Sequence, residues 1–271
     1  MTNIPPTDRE DQTPAPEFSE PEAIQLESLP EETHHSHVKV VAPQRKPVTT
    51  FGLIILTVVV FLAQMITRAV FDVDIPVNFG IKYNLLIDQG QYWRLFTAML
   101  LHGDILHIGF NMYALFILGR GIEPFCGRTR FLLLYVTSGF VGTTASYLLT
   151  AAPSLGASTA TFGLLASYGV LGYRNQKVFG KQSRHIVRNV IQVALINLAL
   201  GLSPGIDNWG HLGGALGGFV LAWFGGPKLS FQAKGLELHL KNDRKGIEFF
   251  TAWILLFGIT ATLAMMLNGK S

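Results

Sequence analysis

The sequence predicts an all-α, polytopic membrane protein, and three observations support this fold class. Hydrophobic residues make up 49% of the 271 residues and charged residues only 14%, well below the roughly 25% of a soluble domain. The chain contains 28 glycines, which are frequent in membrane helices. Apolar runs that can form membrane helices recur at Thr49–Thr67, Ile105–Gly119, Phe131–Leu149, Thr159–Tyr173, Val190–Leu202, Trp209–Phe224 and Phe249–Leu267.

These runs divide the chain into four parts. Residues 1–47 form a polar tail, 48–226 a core of six helices, 227–246 a basic connector, and 247–271 a seventh transmembrane helix with a short C-terminus. The tail holds half of the chain's 18 acidic residues and few apolar ones, so we expect it to be disordered. Its three histidines, His34, His35 and His37, form too short a tract to predict a metal site. We expect that the protein needs no metal and no cofactor.

The positions of the basic residues predict the orientation of the helices. Cytoplasmic loops carry an excess of Lys and Arg, and most of the 21 such residues lie before the first helix and in every second connector after it. We therefore expect a multi-pass protein with a cytoplasmic N-terminus, in a bacterial plasma (inner) membrane. The net charge of +3 follows from this topology and does not indicate a nucleic-acid partner. The connectors on the outer face are then 68–104, 150–158 and 203–208.

Four polar residues fall near the outer ends of three predicted helices. Ser158 begins the fourth helix, His211 lies near the start of the sixth, and His107 and Asn111 lie four residues apart on the second. The pair on the second helix shares one face. Small and polar residues also serve as interhelical contacts, but imidazoles inside a membrane span indicate function by default.

This combination suits a serine hydrolase. A serine hydroxyl becomes a good nucleophile when a neighbouring base accepts its proton, and His211 is the candidate base. Asn111, His107 and the backbone N–H of Ser158 could stabilise the oxyanion of a tetrahedral intermediate. Gly210, Gly214 and Gly218, with Gly213 and Gly217 as a second pair, would allow the sixth helix to pack closely against another backbone.

Two other interpretations of these residues are weaker. The nucleophile elbow G-x-S-x-G requires a glycine where Ala160 stands, and no strand-like run precedes Ser158. Asp207, four residues before His211, could complete a catalytic triad. However, Asp207 precedes a helix, where a short acidic side chain more often caps the first N–H groups.

The chain resembles the rhomboid intramembrane serine proteases over most of residues 50–225. The resemblance lies in "YWRLFTAMLLHGDILHIGFNMYALFILG", "GRGIEPFCGRTRFLLLY", "GASTATFGLL" and "GHLGGALGG", in the family's order. It implies the six-helix family fold with one helix added at the C-terminus. Thr159 departs from the pattern, because the family most often has glycine beside the nucleophile, and we interpret it as tolerated variation.

The resemblance assigns roles to individual residues. It implies Ser158 as nucleophile, His211 as base, and His107 and Asn111 at the oxyanion. The nucleophile belongs to a Gly-Ala-Ser motif that starts at Gly156. The resemblance also implies that Phe162 packs on the ring of His211, that Trp93 and Arg94 shape the first outer loop, and that His102 makes a structural hydrogen bond.

The implied activity is hydrolysis of a peptide bond near the outer end of another protein's transmembrane segment. The expected partners are the lipid bilayer and single-pass or polytopic membrane protein substrates, which must unwind locally to expose their backbone. The connector 203–208 is a plausible mobile cap over the site. The alternative is a non-catalytic member of the same superfamily that binds transmembrane clients without cleaving them.

Overall fold

The computed structural model of the chain describes residues 39–41, 43, 45–203, 205–234 and 237–267. Most of the predicted tail, with its three histidines, lies outside these residues. In chain order the described helices are α1 (Val48–Phe71), α2 (Ile75–Gly80), α3 (Asn84–Asp88), α4 (Arg94–Thr97), α5 (Ile105–Cys126), α6 (Arg128–Leu149), α7 (Ser158–Arg174), α8 (Gln176–Phe179), α9 (Lys181–Leu200), α10 (Asn208–Gly225) and α11 (Gly246–Met266); a 3₁₀ turn spans Ala98–Leu100.

The long helices confirm the predicted fold class. Each of the seven apolar runs forms one long helix in the part of the chain that the structure describes: α1, α5, α6, α7, α9, α10 and α11. Of these, α1, α5, α6 and α11 are long and apolar enough to cross a membrane by length and composition. Helices α7 and α10 have many buried residues, so their sequences need not be as apolar as those of helices that face lipid. The chain is an integral membrane protein.

Glycines bring α6, α7 and α10 into backbone contact. A Cβ atom on Gly214 would lie 2.0 Å from the Thr159 carbonyl oxygen, and one on Gly218 would lie 2.0 Å from the Gly163 carbonyl oxygen. The second pair of glycines on α10 faces α6 instead, because a Cβ atom on Gly213 would lie 2.4 Å from the Ala145 Cβ atom. The close backbone approach that the glycine spacing predicts for the sixth helix is therefore present, and it involves both α7 and α6.

A buried glutamate joins α5 to the start of α1. The carboxylate of Glu123 accepts hydrogen bonds from the backbone N–H groups of Thr49 and Thr50, both at 2.8 Å, and from the Thr50 hydroxyl at 2.7 Å. Gly119, one turn earlier on α5, leaves room for Thr50, whose Oγ1 would lie 2.3 Å from an added Cβ atom. Glu123 thus caps the N-terminus of a neighbouring helix, whose first N–H groups have no partner within that helix.

The same end of the bundle contains other side chains that satisfy main-chain groups. Asn175 donates to the carbonyl oxygens of Leu171 and Pro227 and accepts from the Leu229 N–H group. Arg174 and Arg244 donate to carbonyl oxygens at the C-terminus of α10. We call this the Glu123 end of the bundle; the opposite end, which contains residues 72–104, 150–158 and the start of α10, is the Ser158 end.

A small β-sheet is the main addition to the predicted fold. Strands β1 (Lys39–Val41), β2 (Leu229–Lys234) and β3 (Glu237–Asn242) pair in the order β1–β3–β2. Strands β2 and β3 are antiparallel, whereas β1 and β3 are parallel. Three residues of the predicted tail and much of the predicted connector are therefore extended. The alternation of apolar and polar residues in "LSFQA" and "ELHLK" is typical of strands.

Candidate active site

Ser158 and His211 form a hydrogen bond at one end of the bundle. Ser158 is the first residue of α7, and His211 lies in the first turn of α10. The distance between Ser158 Oγ and His211 Nε2 is 2.9 Å. Their helices can approach this closely because Gly214 leaves no side chain between α10 and the Thr159 carbonyl oxygen. A serine hydroxyl bonded to a buried imidazole is the geometry that transfers a proton as the oxygen attacks an electrophile.

The ring of Phe162 supports the imidazole of His211. Phe162 lies one turn after Ser158 on α7, and the two ring centroids are 4.3 Å apart with their planes within 5° of parallel. Both side chains are buried. The stacked phenyl ring limits rotation of the imidazole about its long axis, which keeps Nε2 directed at the hydroxyl of Ser158. The predicted contact between these two rings is confirmed.

Asp207 caps α10 and does not bind the imidazole. Its Oδ1 atom accepts the Gly210 N–H group at 2.8 Å, and its carbonyl oxygen accepts the His211 N–H group at 3.1 Å. Among the described residues, neither Asp207 Oδ2 nor His211 Nδ1 has a hydrogen-bond partner. The N-cap interpretation of Asp207 is therefore confirmed by the geometry, and the described site contains a serine and a histidine without a bonded acid.

His107 lies beside the segment that precedes Ser158. Gly156 has a φ of +131°, and a Cβ atom added to it would lie 2.7 Å from His107 Nε2 and 3.6 Å from Ser158 Oγ. The glycine therefore provides both a backbone conformation that side chains disfavour and the space that the imidazole occupies. Its N–H group donates to the Ala98 carbonyl oxygen at 2.9 Å. The structure thus brings His107, Gly156 and Ser158 together.

Asn111 lies one turn further along α5 than His107. It is buried, and its side-chain amide donates to the His107 carbonyl oxygen at 3.0 Å. An asparagine amide carries two N–H donors, so this bond leaves one donor for another partner. The structure therefore places Asn111 one helix turn from His107, with a second N–H group that forms no hydrogen bond to the residues that the structure describes.

Trp93 and Arg94 organise the loop between α1 and α5. The Trp93 indole donates to the Phe79 carbonyl oxygen at 3.1 Å and stacks on the Phe79 ring. The buried Arg94 guanidinium donates to the carbonyl oxygens of Asn78 at 2.8 Å and Ile81 at 3.0 Å. Trp93 and Arg94 therefore hold the segment 78–81 in place through these hydrogen bonds, which agrees with the expectation that they shape the first outer loop.

His102 contacts the backbone directly before the nucleophilic serine. The fully buried ring accepts the Ala157 N–H group at Nε2, at 3.4 Å. Burial, together with the nearby His107, lowers the pKa of His102 to about 4. The ring therefore stays neutral at physiological pH and can act as an acceptor. This arrangement matches the structural hydrogen bond that the sequence predicts.

Gln64 is a buried residue of this region that sequence analysis did not identify. Its amide group pairs with both main-chain groups of His102, donating to the carbonyl oxygen at 3.0 Å and accepting the N–H group at 3.1 Å. Gln64 also donates to Asp74 at 3.1 Å, which in turn pairs with Arg68. A lone glutamine inside the apolar first helix was the available signal, because polar residues there are rare.

Thr159, the departure from the family pattern, packs between helices. It is buried, and its Cβ atom would lie 2.8 Å from a Cβ atom added to Gly142 of α6. The methyl carbon of Thr159 would lie 3.0 Å from a Cβ atom added to Gly210 of α10. Glycines on both neighbouring helices therefore accommodate this β-branched side chain, and its side chain points toward α6 and α10.

Comparison with known proteins gives consistent matches. The profile of the Rhomboid domain matches residues 89–228. The chain is 40% identical to rhomboid protease GluP of Bacillus subtilis over 178 residues, which is 65% of this chain and 34% of GluP. It is 33% identical over 144 residues to the putative rhomboid protease YdcA of the same organism, covering 52% of this chain and 71% of YdcA. RHOMBOID-like protein 2 of Arabidopsis thaliana is 30% identical over 200 residues, covering 71% of this chain and 63% of that protein.

Proposed function

The chain belongs to the rhomboid family, and on that premise we propose that it is an intramembrane serine endopeptidase with Ser158 as its nucleophile. The observation that carries the proposal is the 2.9 Å hydrogen bond between Ser158 Oγ and His211 Nε2. Phe162 stacks on the same imidazole. A serine used only for helix packing does not need an oriented imidazole at its hydroxyl, whereas a nucleophile does.

The proposed reaction proceeds through an acyl-enzyme. Ser158 Oγ attacks the scissile carbonyl carbon while His211 Nε2 accepts the hydroxyl proton. The tetrahedral intermediate collapses, the C–N bond breaks, and His211 returns the proton to the departing amine. A water molecule, deprotonated by the same imidazole, then hydrolyses the ester and regenerates Ser158. No metal or cofactor takes part in these steps.

The negative oxygen of the intermediate needs donors at the Ser158 end. We assign the unused N–H group of Asn111, the imidazole of His107 and the backbone N–H of Ser158 to this role. The contact of His107 with Gly156, and the position of Asn111 one turn from His107 on α5, support this assignment. Preorganised donors of this kind act mainly on the transition state.

The proposed substrates are single-pass or polytopic membrane proteins, cleaved near the outer end of a transmembrane segment. The Glu123 end carries the basic residues Arg120, Arg128, Arg130, Arg174 and Lys177, which favours a cytoplasmic location for that end. The Ser158 end then faces outward, and the N-terminus is cytoplasmic. We propose a bacterial plasma membrane as its location, since GluP and YdcA are Bacillus proteins.

Cleavage of a model single-pass substrate by the purified full-length chain in liposomes tests the proposal. We expect wild-type protein to cleave it and to react with a fluorophosphonate probe. Ser158→Ala and His211→Ala should each lose cleavage almost entirely, because nucleophile and base act as one unit. Matched controls are Ser230→Ala, in strand β2, and His185→Ala, at an exposed position of α9, and both should retain activity.

Two results would contradict the proposal. Undiminished cleavage by folded Ser158→Ala would exclude this serine as nucleophile. A wild-type protein that binds the substrate but neither cleaves it nor reacts with the probe would instead support the alternative function, a non-catalytic membrane protein that binds transmembrane clients.

A further inference from the structure

A buried lysine in the loop between α1 and α5 contacts the chain that leads into Ser158. Lys82 lies between α2 and α3 and is fully buried. Its ammonium group donates to the carbonyl oxygens of Thr150 at 2.7 Å and Ala152 at 2.9 Å. Its own N–H and carbonyl groups pair with Ser154 in an antiparallel bridge, with both hydrogen bonds at 3.1 Å. One residue thus contacts three positions of the segment 150–157.

The contacts fall on alternate residues of that segment. Lys82 holds residues 150, 152 and 154, and the next alternate residue, Gly156, donates its N–H group to Ala98. The antiparallel bridge at Ser154 and the two hydrogen bonds of the Lys82 ammonium group therefore hold the segment against the loop. Ser158 follows only two residues after the last of these contacts, and the position of the segment therefore sets the position of its hydroxyl.

The charge of Lys82 suits the place that it occupies. Thr150 ends α6, and the carbonyl groups of a helix C-terminus have no partner within the helix and attract cations. Asn84 adds a second donor to the Thr150 carbonyl oxygen at 3.3 Å and binds that of Tyr147 at 3.0 Å. Burial lowers the pKa of Lys82 to about 8, while Asp207 opposes part of that shift. At neutral pH most molecules therefore carry the ammonium form, which makes charge-assisted hydrogen bonds.

The loop that presents Lys82 is itself held in place. The guanidinium of Arg94 donates to the Ile81 carbonyl oxygen, directly before Lys82. A series of contacts thus leads from Arg94 through Lys82 to residues 150–154 and on to Ser158. Among the described residues, the hydrogen bonds of Trp93 and Arg94 do not reach the serine segment, whereas Lys82 contacts it at three residues and Asn84 at Thr150.

We propose that Lys82 is a positioning residue of the active site, whose ammonium and main chain hold residues 150–157 so that Ser158 faces His211. The proposal rests on the proposed peptidase function and adds a residue to it. It differs from a general role in stability because the contacts of Lys82 are concentrated on the segment that carries the nucleophile. Small displacements of a reacting group can lower rates about 10²-fold, so loss of the ammonium should impair chemistry more than substrate binding.

The test compares Lys82→Met with wild type and with Lys177→Met, an exposed lysine replaced at the Glu123 end. Three quantities are measured on folded protein: the rate of fluorophosphonate labelling, kcat and KM for the model substrate, and thermal unfolding in detergent. For Lys82→Met we expect labelling and kcat to fall by about tenfold or more, with KM within about twofold of wild type. Lys177→Met should match wild type in all three.

A second variant covers the case in which Lys82→Met does not fold. Asn84→Ala removes one donor to the Thr150 carbonyl oxygen and leaves the lysine in place, and we expect a smaller loss in the same two rates. Wild-type labelling and kcat in folded Lys82→Met, or in Asn84→Ala if the first does not fold, would overturn the proposal. If wild-type protein itself is not labelled while it binds substrate, the proposed peptidase function fails, which is a different outcome.

Discussion

The two ends of the bundle differ in how completely their buried polar groups are hydrogen-bonded. At the Glu123 end, Glu123 accepts three hydrogen bonds and Asn175 makes three, so both side chains are fully used within the protein. At the Ser158 end, several buried atoms have no partner among the described residues: Asn84 Oδ1, Thr159 Oγ1, Asp207 Oδ2, Asn208 Oδ1 and His211 Nδ1. Buried polar groups are normally paired, and each exception calls for an explanation.

The difference indicates a division between stability and function. Unpaired buried polar groups cost free energy of folding, roughly 1–3 kcal/mol each, and natural proteins tolerate such costs where activity requires them. The Glu123 end resembles an ordinary buried helix junction. The Ser158 end retains donors and acceptors that can bind substrate or water. Variants at the first end should therefore change stability, and variants at the second should change activity.

Among the variants that test this comparison of the two ends, Glu123→Ala should have the largest effect, a loss of stability. The substitution leaves two backbone N–H groups and the Thr50 hydroxyl unpaired in a buried place, which should lower the free energy of unfolding by about 3 kcal/mol or more. Thermal unfolding in detergent measures this change. Fluorophosphonate labelling of the protein that remains folded should stay near the wild-type rate.

The control for Glu123 is another glutamate at the same end. Glu248 pairs with Arg244, and its side chain is 47% exposed, so Glu248→Ala should change stability by less than about 1 kcal/mol. Equal stability of the two variants would remove the proposed contrast. A loss of labelling in folded Glu123→Ala would show that this end also controls the serine.

The second expected effect is a loss of turnover in Asn111→Ala. If the unused N–H group of Asn111 binds the oxyanion, kcat should fall about 10²-fold with little change in KM. The melting temperature should change little, since the hydrogen bond of Asn111 runs along its own helix to His107. His107→Ala should change kcat in the same direction.

Asn197→Ala is the matched control for Asn111. Asn197 makes the same type of bond, to the Val193 carbonyl oxygen one turn earlier, on the exposed side of α9. This variant should keep wild-type kcat. Normal turnover with reduced stability in Asn111→Ala would instead assign Asn111 to interhelical packing.

The sequence predicted the helices and the serine–histidine pair because both depend on short-range patterns. Apolar runs mark the long helices, and the four-residue glycine spacing on α10 directs that helix against α7. The position of His211 opposite Ser158 then follows from the close approach of two helix ends. Local patterns were sufficient to nominate these two residues, but the contact between them depended on which helices pack together, which the structure shows.

Contacts between distant loops were not predictable in the same way. Lys82 and Ser154 lie in separate connectors, and no periodic pattern relates them. An isolated lysine in a loop is usually solvated, so its burial could not be inferred. Glu123 belongs to a recognised motif, but its partners at the start of α1 are more than 70 residues away. Strand β1 likewise finds its partner β3 at the far end of the chain.

The third expected effect is smaller and concerns Phe162. Stacked aromatic pairs contribute about 0.5–1.5 kcal/mol beyond the area that they bury, so Phe162→Ala should lower kcat by up to about tenfold. Phe162→Tyr keeps the ring against His211 and should retain more activity. Phe110→Ala, at a ring that is 73% exposed, is the control and should match wild type. Equal kcat values in all of these proteins would remove Phe162 from the site.

The smallest expected effect is that of Asp207→Asn. Asp207 serves α10 through Oδ1, which accepts the Gly210 N–H group, and asparagine caps a helix about as well as aspartate. Stability should therefore change by less than about 0.5 kcal/mol, whereas Asp207→Ala should lose about 1 kcal/mol. Cleavage should stay within about twofold of wild type, because neither carboxylate oxygen binds the His211 imidazole among the described residues.

The pH of the Asp207→Asn assay matters because of Lys82. The Asp207 carboxylate favours the ammonium form of Lys82, whose pKa is about 8, and its removal should lower that pKa further. The folded protein would then lose the Lys82 proton at lower pH than wild type does, so cleavage is measured at pH 6.5 as well as at pH 7.5. A loss at both pH values that approaches that of His211→Ala, in folded protein, would show that Asp207 acts as the acid of a triad. Retained activity at both would leave Asp207 as a helix cap and place the chemistry on Ser158 and His211.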